Sequence, residues 1–309
     1  MRRFLTLTVF GFSLLTSSLA LAAPLPVVTS FSILGDLTQQ IGGDKVAVTN
    51  LVDVDGDAHV FEPTPNDAKK VTHAALVIMN GLGFEGWMER LTKAANYKGK
   101  VVVASDGLKN PLEVEEEGEE HGHEEEHGHH HHGAQDPHAW QDITNTRLYV
   151  KNIAAALSKE DPSNAAYYQA NATKLDADLA ALDTWVKAQI ESVPASKRAV
   201  ITSHDAFGYF ARAYGVKFLA PVGLNTEDEP SAKEMRLLIE QLKKGDVKAL
   251  FLENMANPAV VAQMGKEAKV VMGGKLYADA LSAKDGVAGT YQQMFRHNVT
   301  ELVRGMGVK

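Results

Sequence analysis

The sequence predicts an α/β protein of two lobes, each a mainly parallel four-stranded sheet with flanking helices, joined by one long backbone helix. Three observations predict it: two sets of four short, β-branched apolar runs, helical spacing between those runs, and an unbroken helical stretch that divides the sets. Short apolar strands alternating with helices belong to parallel sheets covered on both faces. Strand carboxyl ends in such sheets face ligands, and in a two-lobed chain they can face each other across a cleft.

The elements follow in order. Met1-Arg2-Arg3, the apolar run "FLTLTVFGFSLLTSSLALA" and its Ala20-Leu21-Ala22 end read as a signal peptide over 1–22, cleaved near Ala22/Ala23. The N-terminal lobe, 23–162, carries strands at Pro26–Ser30, Val46–Val52, Ala75–Asn80 and Val101–Ser105, with helical spacing such as Ile33-Leu34-Leu37-Ile41 between them. Residues 163–193 hold neither Gly nor Pro and align Leu175, Leu179, Leu182, Trp185, Val186 and Ile190 on one stripe. Asp161-Pro162-Ser163 starts this linking helix and Pro194 stops it. The C-terminal lobe, 194–309, repeats the rhythm at Ala199–Ser203, Val216–Ala220, Ala249–Asn254 and Val270–Gly274.

Composition narrows the function. A chain of 309 residues with 45% hydrophobic content can bury two cores. It has no cysteine, which excludes disulfides, thiolate metal ligands and a lipid on an N-terminal cysteine, so the expected product floats free in a bacterial periplasm. Nine glutamates between Glu113 and Glu126 account for nearly all of the negative charge of the expected mature chain, which loses Arg2 and Arg3 with the signal peptide, and no Lys/Arg cluster suggests a nucleic-acid surface.

Eight of the 12 histidines fall within "EEEGEEHGHEEEHGHHHHGAQDPHAW", Glu115–Trp140. The Gly/Glu/His composition of 113–133 cannot build a core and reads as a flexible loop. Its imidazoles, His121, His123, His127, His129, His130, His131 and His132, are candidate low-affinity metal ligands. His138 differs, because the low-complexity run has ended and Pro137 and Trp140 flank it. His59 in "DAHVFEPTPND" and His204 in "TSHDAFGYF" follow strand ends, as does Asp279 in "KLYADAL". Three imidazoles and a carboxylate in such positions make a tetrahedral N/O site suited to Zn²⁺.

"HVFEPTPND", "NGLGFEGWMERL" (Asn80–Leu91), "DPHAWQD", "SHDAFGYFARAYG" and "LYADAL" together resemble the solute-binding proteins of bacterial ABC importers for zinc or manganese, over essentially the whole mature chain. The resemblance implies two α/β lobes on one rigid helix, a metal in the interlobe cleft, and ligand positions at His59, His138, His204 and Asp279. Manganese-type members carry a carboxylate at the third position, so His204 points to zinc and to the His₃Asp subtype of Azt-type importers. Phe61 stands where a tyrosine is common in the family, a change not expected to affect the metal.

The implied role is capture of Zn²⁺ and delivery to a membrane permease with its cytoplasmic ATPase, by a monomer. A periplasmic zinc metallochaperone stays open as a further partner. Alternatives are a manganese-binding member of the same family and a zinc buffer or adhesin without a transport role. A zinc enzyme is disfavoured, because Asp279 closes the shell that catalytic zinc leaves open to water and no His-Glu-x-x-His motif occurs.

Overall fold

A computed structural model describes residues 23–113 and 135–307, apart from 225, 227–230, 246, 248, 256–257 and 271. The expected signal peptide and the histidines from His121 to His132 lie outside the described residues. In chain order the strands are β1 (Leu25–Phe31), β2 (Val46–Val52), β3 (Leu76–Met79), β4 (Lys100–Val103), β5 (Ala199–Ile201), β6 (Lys217–Leu219), β7 (Ala249–Glu253) and β8 (Met272–Leu276). The α-helices are α1 (Ser32–Gly42), α2 (Pro65–Thr72), α3 (Met88–Ala94), α4 (Ile143–Glu160), α5 (Ala165–Glu191), α6 (Gly208–Tyr214), α7 (Ala232–Lys244), α8 (Pro258–Ala268) and α9 (Tyr291–Gly305). None of them is long and apolar enough to cross a membrane.

The strands form two wholly parallel sheets of identical order, β2-β1-β3-β4 and β6-β5-β7-β8. Val27, Leu76, Val77 and Ile78 on the central strands are buried, as strands covered on both faces require. The last strand sits two residues later than its apolar run suggests. Gly273 and Gly274, read as its end, lie inside it, because a Cβ on Gly273 would come within 2.4 Å of the Phe251 ring. Close backbone approach rather than apolar content selects these residues.

Helix α5 spans 27 residues, about 40 Å at 1.5 Å per residue. It buries Tyr168, Ala172, Leu175, Leu179, Leu182, Val186 and Ile190 and packs against α1, α4 and α9. Trp185, expected on that stripe, is only half-buried and carries Arg296 over its ring at 4.9 Å. Around α5 the apolar side chains of both lobes merge, so Ile78 of β3 and Phe295 of α9 belong to one core, while Leu238, Leu250, Val261 and Met264 form a smaller core. The lobes thus share a continuous interior on the α5 side and meet at their strand ends on the other.

Candidate metal centre

Each ligand candidate is placed by local sequence. His59 lies in the loop after β2, where its backbone N–H donates to Asp57 Oδ1 at 2.9 Å and Trp87 Nε1 holds the carbonyl of Ala58 at 2.9 Å. That loop ends firmly: Pro65 opens α2, and Thr64 and Asp67 form a capping box. His138 precedes a short 3₁₀ turn, Ala139–Gln141, that leads into α4. Asn80 Nδ2 donates to the carbonyl of Pro137 at 2.9 Å, and Tyr149 holds the other end of that amide at 2.5 Å. His204 follows β5 and Asp279 follows β8, each by three residues.

All four come together. One donor atom from each of His59, His138, His204 and Asp279 lies within 4.8 Å of the other three. His59 Nε2 stands 3.3 Å from His138 Nε2 and 3.4 Å from Asp279 Oδ2. His204 Nε2 is 3.0 Å from Asp279 Oδ2, and His138 Nε2 is 3.7 Å from Asp279 Oδ1. A tetrahedron with arms of 2.0–2.1 Å places neighbouring donors roughly 3.3 Å apart. The contacts of His59 Nε2 and His204 Nε2 with Asp279 Oδ2 and of His59 Nε2 with His138 Nε2 lie near that value, within a cluster that spans up to 4.8 Å.

Burial is graded across the site. His138 and Asp279 are 0% exposed and His204 is 1% exposed, whereas His59 keeps an edge toward a solvent-open cleft of about 570 Å³ lined by Phe61, Phe84, Trp87, Arg90 and Leu224. Phe61 stacks edge-on against Trp87 at 4.8 Å in that cleft. Both oxygens of Asp279 are sealed from solvent without a regular hydrogen bond, an arrangement that calls for a cation.

Sequence reasoning missed the supports. Asp136 Oδ1 accepts from the backbone N–H of His138 at 2.9 Å and stands 2.8 Å from its Nδ1. Glu253, at the end of β7, accepts at Oε1 from the N–H groups of Ser203 at 2.7 Å and His204 at 3.1 Å. Its Oε2 lies 2.5 Å from His204 Nδ1, an ion-pair contact bent away from a linear hydrogen bond. A glutamate closing an apolar run at the carboxyl end of a parallel strand was the available signal for it. Phe84 packs edge-on against His59 at 4.7 Å and Trp140 at 4.9 Å.

Charge follows from this arrangement. Burial by itself would lower the His204 pKa, but the facing carboxylates of Glu253 and Asp279 push it well above the usual histidine value. Burial would raise Asp279, yet His204 and His138 hold it well below the usual carboxylate range. Among the described residues, Asp136, Glu253 and Asp279 form ion pairs only with imidazoles. The centre is therefore an anionic, nitrogen-rich, dehydrated cage for a small divalent cation.

The chain matches the family described as zinc-uptake complex component A, periplasmic, over residues 27–305. It belongs to the ZnuA family. This ZnuA-family chain is 33% identical over 282 residues to the manganese-binding lipoprotein MntA of Halalkalibacterium halodurans, covering 91% of the chain and 88% of MntA. The Mn-bound periplasmic metal binding protein from Candidatus Liberibacter asiaticus aligns with a TM-score of 0.76 at 33% identity, covering 91% of this chain and 98% of that one. The periplasmic zinc binding protein TroA from Treponema pallidum aligns at 0.84 with 27% identity, covering 93% and 100%.

Membership makes the protein the metal-binding, substrate-binding component of an ABC importer, a partner of a permease and an ATPase and not an enzyme. It also overturns one expectation. MntA and streptococcal relatives at 31 to 33% identity are named lipoproteins, so an unanchored product does not follow. The absence of cysteine bears on one attachment chemistry alone. The location the relatives support is extracytoplasmic.

Proposed function

We propose that this protein captures Zn²⁺ through His59, His138, His204 and Asp279 and delivers it to its permease. The observation that carries the reading is His204. With an imidazole at the third position, the cluster offers three neutral nitrogens and one carboxylate, a donor set that favours Zn²⁺ over the harder Mn²⁺. Donor separations near 3.3 Å support four-coordinate binding, whereas an octahedral ion needs additional oxygens.

Manganese is the second reading, favoured by the names of relatives at 33% identity and by the three carboxylates in or behind the cluster. Competition titration of the purified protein with Zn²⁺ and Mn²⁺ separates the two. Zinc capture requires one tight Zn²⁺ that Mn²⁺ in large excess does not displace, and its loss by orders of magnitude in His204→Ala. Tighter Mn²⁺ binding would assign the site to manganese. Weaker zinc equivalents on His121, His123, His127 and His129 to His132 are part of this proposal; deleting 115–132 should remove them and spare the tight site.

A further inference from the structure

Two imidazoles of the cluster are backed by carboxylates, and the two clamps are built differently. Asp136 applies one oxygen, Oδ1, to both the backbone N–H and the ring Nδ1 of His138. Glu253 uses its two oxygens separately, with Oε1 on the N–H groups of Ser203 and His204 and Oε2 on ring Nδ1 of His204 at 2.5 Å. The Glu253 side chain is wholly buried, so no water can exchange into these contacts. Two lone pairs that close would repel, which places a proton between Nδ1 and Oε2. Oε1 already takes two N–H donors, so the proton in the Oε2 contact is assigned to the ring.

We propose that Glu253 is a positioning residue that fixes the ring proton of His204 on Nδ1 and thereby reserves Nε2, 3.0 Å from Asp279, for the metal. The proposal rests on the reading of His204 as a ligand. Only a nitrogen with a free lone pair can bind a cation, so the tautomer of the neutral ring decides whether the preorganised cage is usable. Asp279 exerts the opposite pull, since its oxygen would welcome a proton on Nε2; the shorter contact of Glu253, whose other oxygen is anchored by two N–H groups, outweighs it.

The two clamps respond oppositely to amide substitution. In Glu253→Gln the carbonyl oxygen must occupy the Oε1 position, because an NH₂ group there would face two N–H donors. The NH₂ group then faces Nδ1 and, as a donor, needs it bare. The ring proton moves to Nε2 and blocks the metal's nitrogen. Glu253→Ala removes the lock without imposing the wrong tautomer. In Asp136→Asn the carbonyl oxygen can accept at the Oδ1 position from both groups, so the tautomer of His138 is retained.

Nitrogen-15 spectra of the histidine rings in metal-free protein, combined with calorimetric Zn²⁺ titration, test this. At a pH high enough for the His204 ring to be neutral, Nδ1 should carry the proton and Nε2 be bare in the wild type, and the reverse should hold in Glu253→Gln. Zinc affinity should fall at least ~10-fold further in Glu253→Gln than in Glu253→Ala, and Asp136→Asn should lose less than Glu253→Gln. A purely structural role predicts the reverse order, with the isosteric glutamine milder than alanine, and that order overturns the proposal. So does a bare Nδ1 in the wild type, a result available even if a variant fails to fold. Unchanged zinc affinity in His204→Ala would instead remove His204 as ligand and leave the Nδ1 assignment standing.

Discussion

Trp140 donates its indole N–H to the backbone carbonyl of Ala278 at 2.9 Å. Gln141 brings its side-chain amide to the same oxygen at 2.8 Å, and Tyr291 donates its hydroxyl to the carbonyl of Trp140 at 2.7 Å. His138 lies two residues before Trp140 and Asp279 one residue after Ala278. The loops that carry one candidate ligand from each half of the chain are thus held in register by these hydrogen bonds.

Removing that register should cost stability and affinity together. Gln141→Leu leaves Trp140 on the Ala278 oxygen and should destabilise by about 1 kcal/mol. Adding Trp140→Phe strands a buried carbonyl and opens space beside Phe31 and Phe84, so a further loss of about 2 kcal/mol or more is expected. Denaturant unfolding measures the first effect and metal titration the second. A double variant that bound metal as tightly as the wild type would separate the register from the site.

Gly208 opens α6, and a Cβ there would stand 2.6 Å from Asp136 Oδ2. Gly208→Ala should therefore push Asp136 off His138. A stability loss of about 1–3 kcal/mol is expected from the overpacking, accompanied by weaker metal binding. Unaltered affinity in a stably folded Gly208→Ala protein would show that Asp136 does not position its imidazole.

On the proposed role of His204 as a ligand, its raised pKa sets the pH dependence of binding. In the metal-free protein the ring stays protonated above the ordinary value, and a metal must displace that proton. Affinity should fall as pH falls, and the decline should begin above pH ~6.5, where an unperturbed histidine would still bind fully. Competition titrations between pH 9 and pH 5, run in two buffers of different ionisation enthalpy, report both the affinity and the protons released. A flat affinity from pH 8 to 6.5 would contradict the electrostatic role of Glu253 and Asp279.

Asp36 on α1 accepts from the backbone N–H of Tyr291 at 2.8 Å and from Gln40 at 2.7 Å, tying α1 to the start of α9. Burial raises its pKa from 3.8 to about 6, against the pull of the Tyr291 and Gln40 hydrogen bonds. Between those values the folded state keeps a proton that the unfolded chain has lost, so stability declines as pH rises through the window and levels off above it. Asp36→Asn can keep both hydrogen bonds without the charge. After allowance for its partly exposed rim, it should stabilise the metal-free protein by about 2 kcal/mol above pH 6 and by nothing near pH 4. Thermal unfolding at pH 4.5 and pH 8 checks the sign.

Much of this was legible in sequence. The strands of both sheets, the linking helix and the four clustered residues were all readable, because apolar runs, helical stripes and strand-end polar residues are local signals. The slip of β8 arose where Gly273 and Gly274 serve packing against Phe251 and Glu301, which no local pattern encodes. Asp136, Phe84 and Glu253 were hidden for a related reason: each acts on a partner whose nearness is set by the sheets, as when β5 and β7 lie side by side and bring Glu253 behind His204.

The sequence by itself determined which candidate donors the protein owns and where along the chain they sit: His59, His204 and Asp279 beyond strand ends, and His138 in a short motif after the histidine-rich run. Their chemistry is intrinsic to side-chain type. The tertiary structure alone decided that His59 and Asp279, near opposite ends of the chain, stand 3.4 Å apart, and that a carboxylate faces the rear nitrogen of His138 and of His204. Those distances come from a core shared around α5 and from hydrogen bonds across the cleft. They depend on the close packing of side chains distant in sequence, which no single stretch of residues specifies.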